Sequence, residues 1–209
     1  MPELRLGGLF TWRSVARLGY LPLESFLSVE SFLDEATICI DPLDGDEEEH
    51  KLAYALAEKF NKVRVVNFVW PDNVPGDGTR IGIASAYTLN QSGANYCLNV
   101  QADEIYSPQL SEWLGANWKE LVRKFGIECF SIKVLNLEHN MSQYQGGHMT
   151  RVLPVRVSAQ MCQNNGEFLD CCGRPMMSKL VTAGEELSRR RSESDLIIQR
   201  SWYTIMYQR

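Results

Sequence analysis

Several features that mark large protein classes are missing from this 209-residue sequence. No apolar run approaches the roughly 20 residues that a membrane-spanning helix needs. Residues 1–5 have neither the basic nor the apolar segment of a secretory signal peptide, so we expect a cytoplasmic protein without a transmembrane segment. The formal net charge of −5 gives no basic surplus, which argues against a nucleic-acid partner.

Common phosphate-binding and catalytic motifs are missing as well. The sequence has no Gly-x-Gly-x-x-Gly after its first predicted strand and no Gly-x-x-x-x-Gly-Lys-Ser/Thr. These absences argue against the usual dinucleotide-binding and phosphate-loop folds. There is no Gly-x-Ser-x-Gly nucleophile elbow, and the six cysteines lack paired Cys-x-x-Cys spacing, so a zinc site is not favoured.

The elements that are present alternate along the chain. The hydrophobic fraction of 44% and the charged fraction of 22% are typical of a globular protein, and one domain over residues 1–209 is expected. Apolar patterns predict strands at 4–12, 36–40, 63–69 and 95–100, and helices at 14–32 (interrupted by Pro22), 46–60, 79–92 and 107–125. This order predicts an α/β fold with a mostly parallel sheet. Two later strands, at 129–137 and 151–159, have no clear helix between them and suggest an antiparallel extension.

Acidic residues follow three of the predicted strands: Asp41, the loop 72–77, and Asp103-Glu104. If the strands are parallel, these loops meet at one edge of the sheet, where ligands of such folds bind. Acidic groups that converge repel one another unless a cation or a donor-rich ligand is present. The alternative is that the acids merely end their strands. With a metal-held diphosphate and no phosphate loop, a nucleotide-sugar enzyme is the leading hypothesis.

Two segments resemble the family 2-type glycosyltransferases. Residues 39–46, Cys-Ile-Asp-Pro-Leu-Asp-Gly-Asp, are similar to the strand-to-turn segment after the second structural unit of that family. Residues 94–104, Ala-Asn-Tyr-Cys-Leu-Asn-Val-Gln-Ala-Asp-Glu, are similar to its metal-binding segment. The resemblance covers about residues 5–125 and implies a GT-A fold, a Rossmann-like α/β/α sandwich. It also implies a nucleotide-binding part at about 1–105 and an acceptor-side part at about 106–209.

The resemblance implies roles for individual residues. Asp41 would contact the base or ribose of the nucleotide-sugar, Thr11 and Arg13 would line the same pocket, and Arg80 would touch the base or diphosphate. Asp103 corresponds to the last aspartate of the Asp-x-Asp motif and would bind Mn²⁺ or Mg²⁺. The motif reads Gln101-Ala102-Asp103 here, so an amide replaces the first carboxylate. This replacement predicts weaker metal binding and leaves metal-independent turnover open.

Residues later in the chain are candidates for catalysis. An inverting transfer needs a general base beside the acceptor hydroxyl, and Asp170 is the first choice, with Glu167 next and Glu185 and Glu186 behind them. His148 is predicted in a flexible loop, as a third metal ligand, a phosphate contact or a plain surface histidine. His50 is expected on the exposed face of its helix. Trp70 is expected either to pack over the hydrophobic core or to stack on a sugar ring or base.

Two alternatives to a glycosyltransferase stay open. One is a nucleotidyltransferase that makes nucleotide-sugars, although residues 7–13 match its glycine-rich loop poorly. The other is a non-catalytic nucleotide-sugar-binding module, which Gln101 keeps in consideration. The expected partners are a nucleotide-sugar donor, for which a UDP-sugar is the first expectation, and a glycan, protein or small-molecule acceptor. The expected assembly is a monomer or a homodimer.

Overall fold

The computed structural model describes residues 3–74, 77–125, 130–138, 143–154, 163–164, 167–168 and 204–208. The strands are β1 (Leu6–Thr11), β2 (Glu35–Ile40), β3 (Val63–Asn67), β4 (Tyr96–Val100), β5 (Glu104–Tyr106), β6 (Phe130–Glu138), β7 (Gln143–Pro154), β8 (Gln163–Asn164), β9 (Glu167–Phe168) and β10 (Thr204–Gln208). The helices are α1 (Pro22–Glu30), α2 (Glu47–Lys59), α3 (Asp77–Asn90) and α4 (Pro108–Phe125).

The main sheet has eight strands in the order β3-β2-β1-β4-β7-β6-β10-β5. The first four are parallel to one another, whereas β7 runs antiparallel to both β4 and β6. This arrangement confirms the predicted α/β fold with a parallel sheet and an antiparallel extension. Because β1, β2, β3 and β4 are parallel, the loops that follow them leave from one edge of the sheet.

Local sequence signals account for the helix starts. Pro22 occupies the first turn of α1, where a missing N–H costs nothing, so it starts the helix after the turns at residues 14–19. The Asp46 side chain accepts a hydrogen bond from the backbone N–H of Glu49 and caps α2. Acidic residues fill the first turn of α2 and Lys59 lies in its last, which matches the helix dipole.

The core lies between the parallel strands and the helices. Its largest fully buried side chains include Phe10, Trp12, Phe26, Leu98 and Trp118. The thiols of Cys39 and Cys97 are also buried, and burial raises their pKa values to about 11 and about 12. They therefore stay protonated and pack as small apolar groups, as predicted. Among the helices that the structure describes, none has both the length and the apolar character for crossing a bilayer.

Three predictions about the second half of the chain were wrong or incomplete. The three-residue strand β5 was not predicted, because its partner β10 lies about 100 residues away and leaves no local signal. β7 begins at Gln143, well before the predicted start at residue 151, and residues 155–159 of that prediction lie outside the described residues. His148 is therefore not in a loop, since it pairs with Lys133 in the β6–β7 ladder.

Candidate functional site

A cavity of about 390 Å³ opens at the edge of the sheet where β1 and β4 end. Its volume is in the range of small-molecule sites. The lining comes from the end of β1 and the turns after it, the loop after β3, helix α3, and the end of β4 with the residues that follow it. It consists of Thr11, Arg13, Val15, Leu18, Tyr20, Trp70, Ile81, Ser85, Asn99, Val100, Gln101, Ala102 and Asp103.

Arg13 is the basic side chain of this lining, and two neighbours fix its position. Its Nε atom lies 3.4 Å from Oδ2 of the buried Asp41, and its guanidinium carbon lies 5.1 Å from the centroid of the Trp70 ring. The same Asp41 carboxylate accepts the backbone N–H groups of Leu43 and Trp70, at 3.1 and 3.4 Å. Asp41 thus joins the Arg13 turn to the Trp70 loop from behind the cavity.

The turn after β1 is held by acidic side chains of the segment between β2 and α2. The backbone N–H groups of Ser14, Val15 and Arg17 donate to the carboxylates of Asp44, Glu49 and Asp46, at 2.6, 2.8 and 2.9 Å. Ser14 has a φ of 56°, which is unusual for a residue other than glycine. These three hydrogen bonds to carboxylates offset the backbone strain and fix the turn that contributes Val15, Leu18 and Tyr20 to the cavity.

Glu49 is the most deeply buried acid of this segment. Burial raises its pKa to about 8, the N–H of Val15 opposes the increase, and the charges of Asp44, Asp46 and Asp41 add to it. Its Oε1 atom is buried and has no hydrogen-bond partner in the described part of the chain.

Glu49 also forms, with Asp44 and His50, the three-residue group whose possible ligand atoms lie within 4.8 Å of one another. Nε2 of His50 is 3.2 Å from Asp44 Oδ1 and 3.0 Å from the carbonyl oxygen of Asp41. The prediction that His50 is exposed is wrong, because these contacts hold it half-buried. Both contacts are with acceptor oxygens, which favours the tautomer with its proton on Nε2.

The segment from Gln101 to Glu104 is a tight turn at the end of β4. The N–H of Glu104 donates to the carbonyl of Gln101 at 3.0 Å, and the hydroxyl of Ser25 donates to the same carbonyl at 2.8 Å. The fully buried carboxylate of Glu104 accepts the N–H of Gln101 at 3.3 Å. Glu104 therefore stabilises the turn, while Asp103 lines the cavity.

Tyr20 lines the same cavity as Asp103, although the two residues are far apart in sequence. Burial raises the pKa of its phenol, and the negative charge of Asp103 raises it further. The phenol is therefore neutral at physiological pH and available as a hydrogen-bond donor.

Part of the lining is polar and uncharged. We call Thr11, Ser85 and Asn99 the cavity floor. Thr11 Oγ1 and Ser85 Oγ are 3.4 Å apart, while Ser85 and Asn99 are 8% and 6% exposed. Asn99 lies within β4, whereas Gln101 and Asp103 follow the end of that strand.

The predicted site residues divide into three groups. Thr11, Arg13, Gln101, Ala102 and Asp103 come together in the cavity lining. Two others do not line it: Asp41 lies behind Arg13, and Arg80 donates to the carbonyl oxygens of Val74 and Asp72 at 3.0 and 3.2 Å. The last group comes from the second half of the chain: the structure gives the backbone of His148 in β7 and of Glu167 in β9, whereas Asp170, Glu185 and Glu186 lie outside the described residues.

Several lining residues were not predicted. Val15, Leu18, Tyr20, Ile81 and Ser85 come from turns and a helix face, and their types alone do not distinguish them from core residues. Asn99 did leave a signal, because it is a polar residue inside the apolar strand 96–100. A buried amide in such a place needs a partner or a ligand.

Two residues at the end of β4 carry oxygen atoms of the kind that hard divalent cations bind. Asp103 supplies a carboxylate and Gln101 an amide oxygen, and both line the same cavity. Mg²⁺ is commonly held by one or two carboxylates together with substrate phosphates, so one carboxylate and one amide are compatible with a site that a diphosphate completes.

Comparison with solved structures identifies the fold. A structure of TarS from S. aureus aligns with a TM-score of 0.52 at 10% identity, over 74% of this chain and 29% of TarS. TarS is a GT-A-type glycosyltransferase. The chain has the GT-A fold.

Structures of TarS residues 1–349 give lower scores. One aligns with a TM-score of 0.48 at 13% identity, over 66% of this chain and 37% of the other. Another, in complex with UDP-GlcNAc, gives 0.47 at 14% identity, over 66% and 36%. The chain thus spans about a third of the length of these TarS structures. No protein-family model and no curated protein matches the sequence.

Proposed function

We propose that this protein is a glycosyltransferase that transfers a sugar from a UDP-linked donor to an acceptor hydroxyl. The observation that carries the proposal is the meeting of Arg13, Gln101 and Asp103 in one cavity at the ligand-binding edge of a GT-A fold. A nucleotide-sugar has a charged diphosphate between two neutral parts. A cavity with a basic side chain, a cation-binding carboxylate and a neutral floor matches that distribution of charge.

Arg13 is suited to contact the negative part of the donor. Its guanidinium has five N–H donors; Nε lies 3.4 Å from Asp41 and Nη2 lies 4.0 Å from the exposed Asp72, and neither contact involves Nη1. Asp41 and Trp70 keep the group from turning away, so the contact requires little further ordering. Asp41 then acts as a positioning residue for Arg13.

Asp103 and Gln101 would hold Mn²⁺ or Mg²⁺ together with the donor diphosphate. A cation at this place supplies charge neutralisation for the departing diphosphate. The turn around these residues is fixed by Ser25 and Glu104, so its oxygen atoms need little rearrangement on binding. For an inverting transfer, Asp170 or Glu167 is our choice of general base at the acceptor hydroxyl, with His148 as a further candidate ligand or phosphate contact.

A first experiment measures the hydrolysis of a panel of UDP-sugars with Mn²⁺, beginning with UDP-GlcNAc because TarS has been seen in complex with it. We expect slow hydrolysis that falls by at least about 100-fold in Asp103→Asn, since cation stabilisation of a leaving group is worth several kcal/mol. The matched control is Glu58→Gln on the exposed side of α2, which removes one charge far from the cavity and should keep the rate. Equal rates for Asp103→Asn and the native protein would contradict the proposal.

A non-catalytic binding module is the second candidate, and the amide at Gln101 is the observation that favours it. Such a module would bind UDP-GlcNAc without releasing sugar under any divalent cation. Calorimetric titration of the native protein in Mn²⁺, Mg²⁺ and chelator separates the two cases when it is run beside the hydrolysis assay. Binding with turnover supports the enzyme, and binding without turnover supports the module.

A further inference from the structure

Asn99 lies in the cavity lining, and its side-chain amide has no partner in the described part of the chain. Asn99 is 6% exposed and contributes to the cavity lining. No hydrogen bond or ion pair joins its side chain to another group in the parts of the chain that the structure describes. A primary amide offers two N–H donors and one acceptor oxygen, and in Asn99 these groups are not used by the described part of the protein. The amide is therefore available to a molecule that enters the cavity.

The surroundings of Asn99 limit what can use it. Its companions in the cavity floor are the hydroxyl groups of Thr11 and Ser85, which are 3.4 Å apart and uncharged. The charged side chains of the lining, Arg13 and Asp103, lie beyond the ends of β1 and β4. The floor thus offers hydrogen-bond donors and acceptors without charge, which favours a neutral polar ring over a phosphate group.

We propose that Asn99 is a specificity-determining residue that binds the uncharged ring of the donor through its adjacent hydrogen-bonding groups. This inference rests on the proposed function and names a residue for it. Two parts of a UDP-sugar carry such groups, the uridine and the transferred sugar. The amide binds one of them at the cavity floor, while the diphosphate stays with Arg13 and Asp103.

The test compares the native protein with Asn99→Leu, which has nearly the same volume but no hydrogen-bonding group. Calorimetric titration with UDP-GlcNAc in Mn²⁺ is expected to show an affinity about tenfold weaker for the variant, the effect of losing one or two hydrogen bonds. Binding of inorganic pyrophosphate should stay within about twofold, because pyrophosphate lacks the neutral ring. The matched control Asn90→Leu, at the exposed end of α3, should leave both affinities unchanged.

A titration with UDP identifies which ring the amide binds. If Asn99→Leu weakens UDP as much as UDP-GlcNAc, the amide binds the uridine. If only UDP-GlcNAc is weakened, it binds the sugar. Both outcomes support the proposal. Equal affinity of the native protein and the variant for UDP-GlcNAc would overturn it, as would an equal loss for pyrophosphate.

Thermal unfolding separates this role from a structural one. Because the Asn99 side chain has no hydrogen bond to the described part of the chain to lose, Asn99→Leu should be about as stable as the native protein while it binds the donor less well. If the leucine variant does not fold, Asn99→Ala takes its place in the same titrations. A native protein that binds neither UDP nor UDP-GlcNAc would remove the proposed function, whereas native binding with an unaffected variant removes only the role of Asn99.

Discussion

The acidic segments after β2 and after β4 leave the same edge of the sheet, yet the structure uses their carboxylates differently. After β2, Asp44, Asp46 and Glu49 accept backbone N–H groups of the turn at residues 14–17. After β4, the carboxylate of Asp103 lines the cavity. Both segments follow the carboxyl end of a parallel strand, but only the segment after β4 contributes a carboxylate to the cavity. An acidic loop at the end of a parallel strand is thus not by itself a metal site.

The adjacent pair Asp103-Glu104 repeats this difference on a smaller scale. Glu104 is fully buried and accepts the N–H of Gln101, so it stabilises the turn. Asp103 is half-buried at the cavity and raises the pKa of Tyr20. If this division is correct, replacing the acids after β2 changes stability, and replacing Asp103 changes binding.

The largest stability change is expected for Asp46→Ala. The variant loses the cap of α2 on the Glu49 N–H and the acceptor for the Arg17 N–H, which lie 3.2 and 2.9 Å from the carboxylate. We expect a loss of about 2 kcal/mol in the free energy of unfolding, measured by chemical denaturation. Glu48→Ala, an exposed change in the first turn of the same helix, is the control and should cost less than about 0.5 kcal/mol. Equal losses in the two variants would contradict the role of Asp46.

A smaller, pH-dependent change is expected for Glu49→Gln. The pKa of Glu49 is raised from 4.5 to about 8, so the folded chain binds more protons than the unfolded chain between these values. The contribution of this group to stability therefore falls as the pH rises from about 4.5 to about 8 and is level above that. Glutamine has no charge and keeps an acceptor for the Val15 N–H. The variant should match the native protein near pH 5 and exceed it at pH 9 by about 1 kcal/mol, or roughly 2–4 °C in Tm.

Melting curves between pH 5 and pH 9 check this prediction. The exposed Glu48→Gln, in the same helix turn, should follow the native protein at every pH. If Glu49→Gln keeps the full pH dependence of the native protein, the pKa of Glu49 is not raised in the folded chain. Another acid of the β2–α2 segment would then carry the effect.

Much of the fold could be predicted because its signals are local. The helices and the parallel strands were predicted from local signals: Pro22, the cap at Asp46 and the alternation of apolar runs. His148 was misplaced because Gly146-Gly147 is typical of a loop, whereas β6 pairs with this segment and holds it as a strand. β5 was missed because it pairs antiparallel with β10, with Met206 opposite Glu104. Neither partner can be inferred from neighbouring residues.

The candidate site was predicted at the edge of the sheet where the cavity opens, but the residues deeper in the cavity were not predicted. The resemblance gave Thr11, Arg13 and the Gln101–Asp103 motif, which do line the cavity. It also gave Asp41, which is buried behind Arg13, because strand order fixes where a loop leaves the sheet and not which side chain reaches the open space. Which residues line the inner part of the cavity depends on how α3 and the turn after β1 pack on the sheet. Those contacts join distant parts of the chain and leave no local sequence signal.

The smallest change in Tm is expected at Asp103, and it is the most informative for the comparison of the two acidic segments. Asp103→Asn should leave Tm within about 2 °C of the native value, because the residue is half-buried at the cavity and the turn that carries it is held by Ser25 and Glu104. The adjacent Glu104→Ala is the contrast and should lower Tm by about 2–4 °C, since the N–H of Gln101 loses its buried acceptor. A large loss for Asp103→Asn would mean that this carboxylate also stabilises the fold. Both acidic segments would then stabilise the fold. A lower hydrolysis rate of Asp103→Asn could in that case result from lost stability and would not indicate a bound cation.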